Sequence, residues 1–193
     1  MSQSFVVPPW DAPLDVEECL RNIPDGATTK GMFLLPMLVE AKRRGLTLPS
    51  ARERYLPFVD YPVAEHARLL VESASAFYPE LSTRLALRRL GHRAVDAFRH
   101  STVGKVMWSG ATDPLAALDV IAKGYAITSS RTSVEVVESA PGMAKLRVSG
   151  VHWFLDSHHV AVFEGILKEC GVVGSVRIRL DSPSDGALLC EWS

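Results

Sequence analysis

Between Val63 and Phe77 the apolar residues Val63, Ala67, Leu70, Ala74 and Phe77 recur at alternating steps of four and three. That spacing draws a single stripe down one side of a helix. A second stripe, Leu87, Leu90, Ala94 and Phe98, runs through "LSTRLALRRLGHRAVDAFRHSTVGKVMW" and predicts one long helix. Upstream, "LDVEECLRNIP" predicts a short helix from Asp15 to Asn22, stopped ahead of Pro24. The next helix is expected to be capped by Thr28 or Thr29, to run to about Arg44 and to stop at Gly45, with Pro36 kinking or splitting it. A further short helix is expected from Ser50. "TDPLAALDVIAKG" carries its own punctuation: Asp113 as N-cap, Pro114 in the first turn, Gly124 past the end.

Past Gly124 the period changes. "YAITSSRTSVEVVES" and "MAKLRVSGVHWF" alternate, are rich in Val and Thr, and flank the turn "APGM", so they predict a hairpin. "SHHVAVFEGILKECG" predicts a helix from about Ser157 to Cys170, with Asp156 and Ser157 as cap candidates and Gly171 as the stop. "SVRIRLDS" and "ALLCEWS" predict two closing strands, and residues 4–8 a short one. The fold class is α+β, an N-terminal helical layer packed on a small, mostly antiparallel β-β-α-β-β sheet. A single domain is expected over 1–193, with a lead segment 1–24, a helical part 25–123 and a sheet part 124–193. A sheet with one helix of its own needs more cover, so the N-terminal helices are expected on its other face.

Composition removes several classes. Hydrophobic residues make up 47% and charged residues 22% of the 193, which excludes disorder as the main state. The net charge of −1 gives no basic excess for a dedicated nucleic-acid binder. Three cysteines, Cys19, Cys170 and Cys190, with no CxxC, argue against a disulfide framework or a zinc ribbon. The longest apolar run, "GMFLLPMLVEA", falls short of the ~20 residues that span a bilayer. A soluble, cytoplasmic protein is expected.

Candidate chemistry concentrates in "VHWFLDSHHVAVFEGILKECG", which holds three of the six histidines. Adjacent helical residues point about 100° apart, so His158 and His159 make a poor metal pair, and Cys170 lies about three turns away. No metal site and no cofactor are expected. Among enzyme motifs, HExxH, GxSxG, the P-loop and GxGxxG are missing, and no catalytic residue is assigned. His152, Trp153, His158 and His159 are expected at the rim of a turn, as a surface that contacts a partner. Arg84, Arg88 and Arg89 on the long helix join that partner-contact set, although a solvated basic face is the commoner cause of such a stripe. Phe33, Tyr61, Phe77, Phe98, Trp108 and Phe154 come from different elements and are the candidates to line an apolar pocket between helices and sheet.

The phrases "NIPDGATTKGMFLLPML", "YLPFVDYPVAEHARLL", "ALRRLGHRAVDAF" followed by "STVGK", and "LRVSG…FEGILKECG…LLCEWS" resemble a paralogous family of unknown function expanded in myxobacteria. The ending is also similar to 4-vinyl-reductase-type domains, haem-based nitric-oxide-binding domains and vesicle-tethering subunits of the same fold. That resemblance implies helices on a small antiparallel sheet with a pocket between the layers. Haem would need an axial histidine and Tyr-x-Ser-x-Arg. The nearest match, Tyr125 to Arg131 in "YAITSSR", has five intervening residues in place of three. The expected function is a non-enzymatic regulatory module binding a small apolar ligand or a partner protein. A ligand-free interaction module, as a homodimer or with another chain, and an enzyme with a composite site are the alternatives.

Overall fold

The computed structural model describes residues 4–111 and 113–193; Met1 to Gln3 of the lead segment and Thr112 fall outside it. The chain opens with α1 (Val16–Arg21), where the Asp15 carboxylate accepts from the Glu18 amide at 2.8 Å. Thr28 and Thr29 do not cap a helix. They lie in β1 (Thr28–Lys30), which pairs antiparallel with β2 (Asp60–Pro62). A 3-10 turn, Gly31–Phe33, then leads into α2 (Leu35–Arg44). Pro36 sits in the first turn of α2 and so begins that helix without splitting it. Gly45 ends it at φ 67°, a conformation glycine adopts without strain. Residues 51–59 form turns in place of the helix expected from Ser50. The Tyr55 and Tyr61 hydroxyls hold this loop, bonding Glu65 Oε1 and the Leu56 amide.

The two striped segments form α3 (Val63–Phe77) and α4 (Thr83–His100). The long helix breaks at Ser101, whose hydroxyl donates to the Phe98 carbonyl and accepts from Gly104 N, capping α5 (Thr102–Trp108). Asp113 caps α6 (Pro114–Thr128) as expected. Gly124 does not end α6; the helix continues through Tyr125 to Thr128 because Gly124 and Thr128 are buried inside the fold.

The sheet part contains β3 (Ser133–Ala140), β4 (Met143–Ser149), β5 (Gly174–Leu180) and β6 (Gly186–Trp192) in the antiparallel order β3-β4-β6-β5. Between β4 and β5 lie a π turn, Leu155–His159, and α7 (Val160–Glu169). Strand alternation puts Ala144, Leu146, Val148, Val176, Ile178, Leu188 and Cys190 on one buried face, against Phe163, Ile166 and Leu167 of α7 and Leu118 of α6. The other face carries the ion pairs Arg147–Glu135, Lys145–Glu138 and Arg177–Glu191. The N-terminal helices therefore do not cover that second face; α4 packs on α7, which packs on the sheet. From the lead segment, Val6 exchanges two backbone hydrogen bonds with Ile178 at the β5 edge. The architecture is a mixed helical and antiparallel-sheet fold.

The contact of α4 with α7 is built on glycines. A Cβ on Gly91 would overlap the His158 carbonyl oxygen and lie 2.7 Å from Ala161 Cβ. A Cβ on Gly165 would lie 3.0 Å from Val95 Cγ2. This close approach brings the π turn under α4 and divides the core in two. One cluster joins Leu34, Leu69, Leu70, Phe77 and Leu87 with Trp153 and Phe154. The other joins Val95, Phe98, Leu118 and Ile121 with α7 and the sheet.

Candidate functional site

The site lies where the two clusters meet. Phe154 enters the π turn in the left-handed region, at φ 50°, a conformation costly for an aromatic residue. Strain of this kind and π turns both concentrate at functional sites. Asp156 and Ser157 do not cap α7. Asp156 pairs with Arg84 at 2.6 Å, and the Ser157 hydroxyl faces the Phe154 carbonyl. The turn directs His158 and His159 both inward, each 4% exposed. His66 arrives from α3 at 6% exposure and Trp153 at 3%. The His158 and His159 rings are perpendicular with centroids 5.2 Å apart; Trp153 meets His159 edge-on at 4.9 Å and His66 at 6.2 Å. Tyr125, on the extra turn of α6, brings its hydroxyl 2.7 Å from His159 Nδ1.

Burial dominates the electrostatics of this cluster. It pushes His66 down to about 3 and His158 down to about 4, and holds His159 well below the ordinary imidazole value. The Leu87 carbonyl facing His158 works weakly the other way. Burial raises the Tyr125 phenol. The cluster is thus neutral near neutral pH. Four of its ring nitrogens have no hydrogen-bond partner: His66 Nδ1, His158 Nδ1, His159 Nε2 and Trp153 Nε1. A buried polar atom left unmet costs about 1–3 kcal/mol.

These rings wall a cavity with two adjoining lobes. The inner lobe, about 70 Å³, is lined by His66, Tyr125, Trp153, His158 and His159 with Phe33, Phe98 and Ile121. The outer lobe, about 140 Å³, shares Phe33, His66, Ala94, Phe98 and His158 and extends past Met37, Leu70, Phe77 and Leu90 toward Arg93 and Asp96. Of the six expected lining residues, Phe33, Phe77 and Phe98 converge here. Tyr61 instead packs edge-on against Tyr55, and Trp108 packs beside Arg99 against the sheet cluster. Phe154 is buried in the helical cluster, outside both lobes.

The partner-contact set is redistributed. Trp153, His158 and His159 are core residues, not a rim, because the π turn rolls them under α4. Arg84 and Arg88 are consumed internally. Arg84 bonds Asp156, while Arg88 bonds Glu164 at 2.7 and 3.0 Å and stacks on Trp10. His92 also meets Glu164, and Arg99 meets Glu169. Burial acts to raise the Glu164 carboxyl, but the hydrogen bonds from His92 and Arg88 outweigh it and hold it low. The basic stripe of α4 is therefore a clamp on α7. Arg89 is exposed and His152, like Arg84 and Arg88, is half-buried. His66 and Tyr125 stand outside the expected pocket and contact sets, His66 in a segment read as ordinary helix and Tyr125 in one read as strand.

Among the described residues no group of three or more His, Cys, Asp or Glu is placed to hold a metal ion. The three cysteines are free thiols, and burial pushes Cys190 up to about 12. No helix of the described residues is long and apolar enough to cross a membrane.

The described residues, seven α-helices with a four-stranded antiparallel sheet whose strands are interrupted by a helix, match the fold of H-NOX proteins. The unliganded Fe(II) H-NOX of K. algicida superposes with a TM-score of 0.63 at 11% identity, over 85% of this chain and 96% of that one. A mutant of the T. tengcongensis H-NOX gives 0.66 at 12%, over 85% and 97%. A mutant of the S. oneidensis H-NOX in the Fe(II) state gives 0.64 at 12%, over 85% and 96%. At such identities the likeness concerns the fold. By sequence, residues 23–193 match a family model, and the chain belongs to that family, described as "Protein of unknown function (DUF2378)". No curated protein matches it.

Haem does not fit the residues present. Buried imidazoles are available as axial ligands. Yet the lobes lie below the roughly 300–1,000 Å³ of pockets for drug-sized ligands. The Tyr125 hydroxyl is directed at His159 while Arg131 is exposed, so the two do not converge on a carboxylate. Haemin titrated into the purified chain is expected to give no protein-bound Soret band; a sharp new band would contradict this reading of the cavity.

Proposed function

We propose that this protein is a non-enzymatic sensor-type module, soluble and cytoplasmic, that binds a small, largely apolar ligand between its helical layer and its sheet. The observation that carries the reading is a cavity lined by the rings of His66, Trp153, His158 and His159, each of which also holds a buried nitrogen without a partner. Retaining such atoms costs stability, and a cavity that receives a ligand supplies a reason for them. The H-NOX-like fold supports a sensing role by analogy. The setting proposed for it is a set of paralogues expanded in myxobacteria.

The test needs no knowledge of the natural ligand. An apolar cavity of about 150 Å³ accepts benzene. Benzene added to the full chain is expected to raise Tm in proportion to the logarithm of its concentration. A Tm unchanged up to the solubility limit of benzene would sink the reading. The second reading, a ligand-free interaction module, has support in the exposed side chains of Leu56, Phe58 and Val59, close together on one loop. It predicts a concentration-dependent dimer by sedimentation, abolished by Phe58→Asp.

A further inference from the structure

One end of the outer lobe is charged, and its charges do not balance. Helix α2 gives the lobe Met37 and, one turn on, Glu40; α4 gives it Leu90 and, one turn on, Arg93. The Glu40 carboxylate accepts four hydrogen bonds, from Arg43 at 2.9 and 2.7 Å, from Arg44 at 2.6 Å and from Arg93 at 3.2 Å. A carboxylate has about four acceptor sites, so Glu40 has none to spare. The bonds from Arg43 and Arg93 hold its carboxyl well below the usual range, and it is ionised near neutral pH. Three guanidinium groups thus face one negative charge, and the surplus is positive. Asp96, the other acid of the lining, is 64% exposed and lies 3.1 Å from His100; counted in full, it still leaves a positive end.

The three arginines are not equivalent. Arg44 is turned inward: it donates to the Phe77 carbonyl at 2.9 Å, and its guanidinium lies over the Phe77 and Tyr78 rings. Arg43 is 68% exposed and stands in solvent. Arg93 lines the lobe and is 47% exposed, so it sits where the apolar wall meets water. A guanidinium has five N–H donors, and Arg93 meets only Glu40 and the Tyr78 side chain. Donors therefore remain on the one cation that reaches the lobe.

We propose that this end of the outer lobe is a carboxylate-recognition subsite with Arg93 as its donor, and that the ligand is a small amphiphilic monoanion. Its apolar body, about one ring in size, lies among Met37, Leu70, Phe77 and Leu90, and its carboxylate meets Arg93. The assignment rests on the ligand-binding reading above and adds to it the class of ligand. The size follows from the outer lobe, about 140 Å³, close to the cavity of about 150 Å³ that takes benzene. The sign follows from the arginine surplus. A planar carboxylate matches the guanidinium fork, and at a half-exposed arginine it keeps part of its hydration, so no charge is buried unpaired.

The experiment is calorimetric titration of the full chain, near neutral pH and in low and high salt, with phenylpropionate, its amide and phenylpropylamine. Phenylpropionate is expected to bind about tenfold tighter than the amide, the worth of one charge-assisted hydrogen bond, and the amine more weakly than either. High salt should shrink the advantage of the anion and leave the amide unchanged. Arg93→Gln is expected to weaken phenylpropionate about tenfold and leave the amide unchanged, while Arg93→Lys, which keeps the charge without the fork, retains part of the preference. Equal affinities for phenylpropionate and its amide, or tightest binding of the amine, overturn the subsite and leave the cavity reading standing. An undiminished preference for the anion in Arg93→Gln overturns the assignment to Arg93. Binding of none of the three overturns the subsite, and the response of Tm to benzene then decides the cavity reading separately. If Arg93→Gln does not fold, the wild-type comparison and its salt dependence decide.

Discussion

Acidification from about pH 7 to about pH 5 is expected to cost this protein roughly 4 kcal/mol of folding stability through His66 and His158 alone. Burial depresses both imidazoles, to about 3 and about 4, against an unfolded value near 6.5. The unfolded chain therefore binds more protons across this window, and stability rises with pH there. The contribution is fully present above about 6.5 and falls as the unfolded imidazoles take up protons. At pH 5 each group has traversed about 1.5 pKa units, or about 2 kcal/mol. His159 is depressed in the same sense and adds to the loss. Carboxylates do not confuse the window: Glu40 and Glu164 are held low, by Arg43 and Arg93 and by His92 and Arg88 respectively, so their losses begin at lower pH. Such a loss rivals the total stability of many domains. Urea unfolding at a series of pH values measures it. His66→Gln should flatten the slope between pH 5 and 6.5; a slope unchanged in the variant would show that His66 is not buried and neutral.

Gly91→Ala is the substitution expected to act most strongly on the site from outside it. The new methyl would overlap the His158 carbonyl and press on Ala161, both backbone-anchored and unable to turn aside. Overpacking of this kind costs about 1–3 kcal/mol, and a forced separation of α4 from α7 lies at the upper end. The higher helix propensity of alanine returns about 1 kcal/mol, leaving a net loss of about 2 kcal/mol. Because the clash falls on the π turn, the histidines should shift with it, and benzene should no longer raise Tm. Gly45→Ala is the control. Nothing lies within 4 Å of its Cβ position, so it should cost only backbone strain and leave ligand response intact. Equal effects on benzene response in the two variants would show that the α4–α7 contact does not seat the cavity.

Much of this was legible from spacing. The stripes on α3 and α4, the Asp113-Pro114 start of α6, the Gly45 stop and the four strands obey local rules that packing did not override. The misses share a physical cause. Thr28 and Thr29 look like caps, but their backbone is claimed by β2 and by Ser129 and Ser130, a hundred residues away. Gly124 looks like a stop, but α6 runs on through it to Thr128, with both residues buried. A π turn has no residue signature, so His158 and His159 read as the polar start of a helix. The acidic residues Asp156, Glu164 and Glu169 are spaced to answer Arg84, Arg88 and Arg99, a signal visible only once α4 and α7 are known to be neighbours. Of the aromatics expected between the layers, Phe33, Phe77 and Phe98 line the lobes, and Tyr61, Trp108 and Phe154 lie elsewhere because apolar surface alone does not specify which cluster a ring joins.

The central claim is that three neutral imidazoles are buried around a cavity, one of them fixed by Tyr125. Nitrogen-15 NMR of the histidine side chains, followed from pH 8 to pH 5, tests it most directly. His66, His158 and His159 should stay neutral throughout. Titration of all three with midpoints near 6.5 would contradict the account.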